Sequence, residues 1–166
     1  MKIKKRRWVV KAGSQMVIEG GPLLIRDWMR QVRELKLKHG IEIVWVTSGA
    51  IATARLFLNV QSNRISKATS LEAKQALSAM GQPMVHGIYQ IALEAQGTKG
   101  AQVLLTAEDL KNPMRRKNLV NTLSTLLSWD VVPVLNENDA VSTAEIQFGD
   151  NDFLSSLVAQ AIGAER

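Results

Sequence analysis

The chain has 166 residues, 46% hydrophobic and 22% charged with no cysteine, which excludes a disordered chain, disulfides, thiolate metal sites and a cysteine nucleophile. No apolar run approaches a bilayer span, and the basic start of the chain lacks the apolar stretch and cleavage site of a secretory leader. The net charge of +6 is concentrated at one end: Lys2, Lys4, Lys5, Arg6 and Arg7 carry five of it and leave +1 for the rest, while residues 131–165 hold six acids and no base, which argues against a nucleic-acid groove.

In chain order, residues 1–7 read as a basic, solvated stub. Trp8, Val9 and Val10 form a short apolar strand, and Gly13, Gly20 and Gly21 mark a loop after it. From Pro22 onward, Leu24, Trp28, Val32 and Leu35 recur at helical spacing, with Pro22 in the first turn and Gly40 as the stop. Ile41–Val46 (IEIVWV) is a nearly continuous β-branched run, expected of a strand buried on both faces of a parallel sheet. Thr47-Ser48-Gly49 then turns the chain into a helix beginning near Ala50. Residues 59–67 are polar and read as a loop.

Thr69 with Glu72 three residues later reads as a capping box, opening a helix through Leu77 and Met80 that Pro83 is expected to bend or split. GAQVLL (100–105) is a third strand, Leu119, Leu123, Leu126 and Leu127 make a helical stripe, and VVPVL (131–135) is a fourth strand with an ill-placed Pro133. A long polar segment, 136–150, with room for a small hairpin, precedes a last helix whose one face carries Leu154, Leu157, Val158, Ala161 and Ile162. The alternation predicts a three-layer αβα sandwich around a mainly parallel sheet, in which ligands bind beyond the C-terminal strand ends.

Four polar clusters fall at such positions. Lys11-Ala12-Gly13-Ser14 pairs a lysine with a glycine turn, suited to a phosphoryl group, although a strand-end lysine is also an ordinary solvated charge and no P-loop spacing is present. Ser48-Gly49-Ala50 places backbone N–H groups at a helix N-terminus, suited to an anion, while Ser48 reads equally well as a simple cap. Asn136-Glu137-Asn138-Asp139 and Gly149-Asp150-Asn151-Asp152 crowd carboxylates that repel one another unless a cation enters. That cation is Mg²⁺, a substrate ammonium or a lysine; the alternative is a pair of solvated loops with Asx turns, with Asn151 or Asp152 capping the last helix. His39 and His86 lie far apart on helical segments, and neither H-E-x-x-H nor G-x-S-x-G occurs, so no other catalytic set competes. The four tryptophans and Tyr89 are scattered singly, as core or surface anchors.

Taken in order, VVKAGS (9–14), VTSGAIA (46–52), KQALSAMGQP (74–83), AQVLLT (101–106) and VVPVLNENDAVSTAEIQFGDND (131–152) resemble the glutamate 5-kinases of the amino-acid kinase superfamily. SGAIA with NENDAV and GDND separates that family from aspartate, uridylate and carbamate kinases of the same fold. The resemblance implies a cytoplasmic phosphotransferase that uses ATP and Mg²⁺ to convert L-glutamate to glutamyl 5-phosphate, the first step of proline biosynthesis. Proline as a feedback inhibitor, homo-oligomer assembly and an absence of nucleic-acid or membrane partners belong to the same expectation. By resemblance, Lys11 and Asp152 are catalytic, with Asp152 organising lysines rather than acting as a base. Ser48, Gly49, Ala50, Asp139 and Asn151 bind the acceptor, Asp139 at its ammonium group. Lys11, Gly13 and Ser14 face the nucleotide's phosphates, and no metal ligand is assigned.

Departures from the family are the bulky Gln15, Ala54 with Leu56-Phe57-Leu58 after SGAIA, and the absence of an arginine in 117–120. The expected organisation is a single amino-acid kinase domain over 1–166, cut short of the region that carries the nucleotide-base pocket. The other readings are a relative with a different acceptor and a truncated, catalytically silent glutamate-binding module.

Overall fold

Six consecutive residue pairs, from Arg6 with Ile41 to Lys11 with Val46, join β1 (Arg6–Lys11) to β2 (Ile41–Val46) in parallel. The computed structural model describes residues 6–61, 69–142 and 151–166. Two further strands, β3 (Lys99–Leu105) and β4 (Val131–Glu137), pair in parallel along their whole length, and the order across the sheet is β1-β2-β4-β3. All six residues of β2 are buried: the five apolar ones as a strand covered on both faces requires, and Glu42 with its carboxylate paired to Arg7. Pro133 is accommodated because β4 meets β2 only at Val134 and Leu135, so the missing N–H falls before that ladder begins.

The strands divide their side chains between two cores. Ile41, Ile43 and Trp45 of β2, with Val132 and Val134 of β4, pack on one face against α1 (Ser14–His39) and α3 (Leu71–Glu94). Val44, Val46 and Leu135 pack on the other against α5 (Pro113–Ser128) and α6 (Asn151–Ile162). The expected three-layer αβα sandwich is what forms. The chain leaves β2 toward α3 on one face and leaves β4 toward α6 on the opposite face. Such a divergence opens a crevice at the strand ends, where open α/β sheets hold ligands.

Several local expectations are corrected. Arg6 and Arg7, read as part of a solvated stub, belong to β1: Arg7 Nε lies 2.9 Å from the buried Glu42 carboxylate and Arg6 Nε 3.1 Å from Glu165. The outer edge of β1 is also engaged, with Glu165 N–H donating to Arg7 O at 2.8 Å and Val9 N–H to Arg166 O at 2.7 Å. The glycine-rich stretch after β1 is helical from Ser14. Its glycines act as punctuation: Gly13 is the extended N-cap, and Gly21, at φ 55° and ψ −160°, breaks α1 just before Pro22, where a proline disfavours helical backbone in its predecessor. Pro83 does not interrupt α3; one lost hydrogen bond in 24 residues is outweighed by the burial of Gly81, Gln82, Val85 and Tyr89 around it. The cap of α3 is Ser70, not Thr69: Ser70 Oγ accepts from Ala73 N–H at 3.2 Å. A short helix not anticipated from the sequence, α4 (Ala107–Lys111), starts where Asp109 Oδ2 accepts from both the N–H and the hydroxyl of Thr106. Any hairpin in the 136–150 segment falls largely on 143–150, outside the described residues.

One helix crossing bears directly on the site. Gly81 of α3 lies against the start of α2 (Ala50–Gln61), so close that a Cβ there would fall 2.7 Å from the carbonyl carbon of Ala50 and 3.1 Å from Ala54 N. Both obstacles are backbone and cannot rotate away. Gly81→Ala is therefore expected to lose about 3 kcal/mol or more, at the upper end for overpacking. Urea unfolding is the measurement, and a loss under about 0.5 kcal/mol, the range of an ordinary surface change, would show that the two helices separate freely.

Candidate functional site

A cavity of about 510 Å³ opens at the C-terminal ends of β1, β2 and β4. The sheet builds its floor. Ala12 N–H donates to Val46 O at 2.9 Å and Thr47 N–H to Leu135 O at 2.8 Å, so the ladders run on past the formal strand ends and fix where the loops begin. Beneath it, Thr47 Oγ1 donates to the buried Tyr89 hydroxyl at 3.1 Å, and the Tyr89 ring meets that of Trp45 at a tilt of 52° with ring centres 6.0 Å apart.

Two helix N-termini open on this space. After β1, Gly13 leads into α1 at Ser14; after β2, Gly49 leads into α2 at Ala50. Gly49 sits at φ 97°, a conformation that side chains strongly disfavour, and this lets the chain reverse from strand to helix within one residue. Backbone N–H groups at both helix starts favour anions. The Lys11 ammonium stands on the cavity wall between them, 2.7 Å from Asp152 Oδ1 in the first turn of α6.

A chain of buried side-chain amides ties the third loop to the second. Asn151 Nδ2 donates to Thr47 O at 2.7 Å, to Ser48 Oγ at 2.7 Å and to Asn136 Oδ1 at 2.9 Å. Asn136 Oδ1 also accepts from Glu137 N–H at 2.9 Å, while Asn136 Nδ2 donates to Gln82 Oε1 at 2.6 Å. The Thr47 carbonyl and the Glu137 amide each admit only one partner type, so both asparagine orientations are determined.

The carboxylates at the end of β4 are short of positive charge. Burial pushes the Asp139 carboxyl above its ordinary range, only partly offset by Ser78 Oγ, which donates at 3.4 Å. Glu137 is raised as well, first by burial and then by the neighbouring Asp139 charge, against a 3.2 Å hydrogen bond from Ser142 Oγ. Both groups therefore favour a cation arriving in the cavity. Among the described residues no group of three or more His, Asp and Glu side chains is placed to hold a metal ion.

All nine sequence-derived site residues meet here. Lys11, Gly13, Ser14, Ser48, Gly49, Ala50, Asp139 and Asn151 line the cavity, and Asp152 reaches it through Lys11. Gly149 and Asp150 lie outside the described residues. Sequence reasoning assigned no role to Arg55 of α2 or to Lys74 of α3, both on the cavity wall, nor to Ser78 and Gln82. A signal for the latter exists: Lys74, Ser78 and Gln82 recur every four residues, a polar stripe along one side of a largely apolar helix.

Residues 6–166 match the amino acid kinase family. The chain is 43% identical over 169 residues to a glutamate 5-kinase of Azoarcus sp. (strain BH72), covering 99% of this chain and 44% of that protein. It is 44% identical over 163 residues to the glutamate 5-kinase of Meiothermus ruber, covering 96% and 41%, and 42% identical to that of Hydrogenovibrio crunogenus, covering 98% and 43%. The chain thus spans less than half the length of these curated relatives. With the match running from the first described residue of β1 to Arg166, the chain belongs to the amino acid kinase family.

Proposed function

We propose that this chain supplies the acceptor half of an ATP-dependent glutamate 5-kinase, which phosphorylates the side-chain carboxylate of L-glutamate to glutamyl 5-phosphate at the start of proline biosynthesis. The observation that carries the reading is the pair of cation-seeking carboxylates, Asp139 and Glu137, in one cavity with the Lys11 ammonium and two helix N-termini. An amino-acid ammonium satisfies the first; carboxylate and phosphoryl oxygens satisfy the second.

In this reading Asp139 holds the ammonium of glutamate. The Gly49 and Ala50 amides, with Ser48, hold acceptor oxygens, and Asn151 fixes that turn. Because both Asn151 N–H bonds are engaged within the protein, its Oδ1 is the atom left for ligand. The side-chain carboxylate oxygen attacks the γ-phosphorus of ATP while the bond to the β–γ bridging oxygen breaks, and ADP carries away that electron pair. No proton has to be removed from the nucleophile, so Asp152 needs only to orient Lys11, whose ammonium meets the charge on the transferring phosphoryl group. Gly13 and Ser14 offer backbone approach to the phosphates. Mg²⁺ would be held through the oxygens of the triphosphate and would supply charge neutralisation there. Cytoplasmic location, homo-oligomer assembly and proline feedback are proposed on the same family ground.

Calorimetric titration with glutamate, aspartate and carbamate tests the acceptor, and glutamate-dependent ADP release tests the transfer. Tighter binding of another acceptor, or none of glutamate, overturns the reading. Glutamate binding without ADP release by this chain would favour the silent binding module instead.

A further inference from the structure

The cavity wall carries opposite charges that do not neutralise each other. Asp139 and Glu137 sit at the end of β4 without a basic partner among the described residues, and Lys74 of α3 forms no ion pair with any described residue. Lys11, the other lysine of the cavity, is differently placed, with its ammonium against Asp152. Helix geometry fixes the relation between the poles. Ser78 donates to Asp139, and Lys74 lies one turn earlier on the same side of α3, where positions four apart are neighbours. Gln75, the next residue, anchors this end of the helix by donating to Ser142 O at 3.0 Å, and Ser142 in turn holds Glu137. A carboxylate short of a cation and an ammonium short of an anion are thus held one helical turn apart, facing one space. The small molecule that satisfies both is a zwitterion whose ammonium and carboxylate share one carbon, an α-amino acid.

We propose that Lys74, with Arg55 on the same cavity wall, binds the α-carboxylate of the acceptor and makes the site select α-amino acids over amines of the same length, while Asp139 discriminates against dicarboxylates. The assignment rests on the acceptor reading above and divides its labour. Asp139 takes the ammonium, Lys74 the α-carboxylate, and the Lys11 end of the cavity the carboxylate to be phosphorylated. An acceptor lacking the α-carboxylate then leaves Lys74 unpaired, and one lacking the amino group leaves Asp139 unpaired.

The probes are glutamate, 4-aminobutanoate (glutamate without its α-carboxylate) and glutarate (glutamate without its amino group), titrated calorimetrically against the parent chain, Lys74→Met and Lys74→Arg. The parent is expected to prefer glutamate to 4-aminobutanoate by on the order of 10- to 100-fold, the worth of one charge-assisted hydrogen bond. In Lys74→Met that preference should collapse to within about threefold, with 4-aminobutanoate itself binding as before, and Lys74→Arg should restore most of it. A purely structural role for Lys74 would weaken all three ligands together and leave the preference intact. A preference retained in Lys74→Met, or absent from the parent, overturns the assignment while glutamate binding by the parent upholds the acceptor reading. No glutamate binding by the parent overturns both.

Discussion

Asp139→Asn should lose roughly 2–5 kcal/mol of glutamate binding, the cost of leaving a substrate ammonium without its charged partner. The same substitution should leave the ligand-free chain at least as stable as the parent at neutral pH. The two effects have one cause. Burial raises the Asp139 carboxyl above its ordinary value, so the folded chain holds that proton to higher pH than the unfolded chain does. Its favourable contribution is present below the ordinary aspartate value of about 3.9 and is lost as pH rises toward the folded value. At neutral pH the charge therefore costs stability, and asparagine, which still accepts from Ser78, removes the cost. A bound ammonium reverses the balance by favouring the ionised form. Glutamate affinity should accordingly rise with pH across the range just above ordinary carboxylate titration, with protons released on binding, and Asp139→Asn should flatten that profile. Calorimetry in buffers of different ionisation enthalpy counts the protons, and thermal unfolding of the two chains supplies the stability arm. Unchanged glutamate affinity in the variant would remove Asp139 from the site.

The sequence was informative wherever one physical demand dominated a segment. Ile41–Val46 had to be a strand buried on both sides, because five apolar, mostly β-branched residues in six positions fit little else, and all six are buried, Glu42 with Arg7 as its partner. Once the strands were read as parallel, their C-terminal ends had to share an edge, which is why clusters as distant as Lys11 and Asp139 could be expected in one cavity. Legibility failed where one residue type serves two purposes. Gly13 and Gly21 read as loop, yet they bound a helical turn that buries Val17. Arg6 and Arg7 read as a solvated charge run, but carboxylates on neighbouring segments, Glu42 and Glu165, draw them into the sheet. The stripe of Lys74, Ser78 and Gln82 was hidden because its meaning depends on what α3 faces, and only the arrangement of β4 beside it supplies that. Asn151 read as a ligand-binding side chain; that its amide nitrogen is occupied by Thr47, Ser48 and Asn136 depends on partners of which two lie more than a hundred positions away.

That occupied amide makes Asn151→Asp the most damaging isosteric change available at the site. The parent side chain is 8% exposed and presents N–H groups to three oxygens, one of them the Thr47 carbonyl, which can only accept. Aspartate keeps the shape and removes both donors, turning a carboxylate oxygen toward oxygens. The loss at neutral pH should be about 3–5 kcal/mol, the range for leaving a buried charge uncompensated, with orphaned acceptors adding to it. It should also depend on pH. In the folded chain the neutral acid is favoured, since its single O–H can still donate to one of the three oxygens, so the folded pKa of the new group is raised. The penalty is then smallest below the ordinary aspartate value of about 3.9 and grows as pH rises through it toward the folded value. Asn151→Leu, which loses the donors but gains no charge, should show a loss that does not vary over the same range. Urea unfolding of parent and both variants at pH 4 and pH 7 separates the two components. The site should suffer with the fold, because Asp152, the next residue, is what holds the Lys11 ammonium at 2.7 Å and shares the start of α6 that Asn151 pins to β2 and β4. An Asn151→Asp chain within about 1 kcal/mol of the parent at pH 7 would mean that the carboxylate had found a cation, such as Lys11 drawn from the adjacent Asp152, and that the amide chain does not hold the turn after β2 in place.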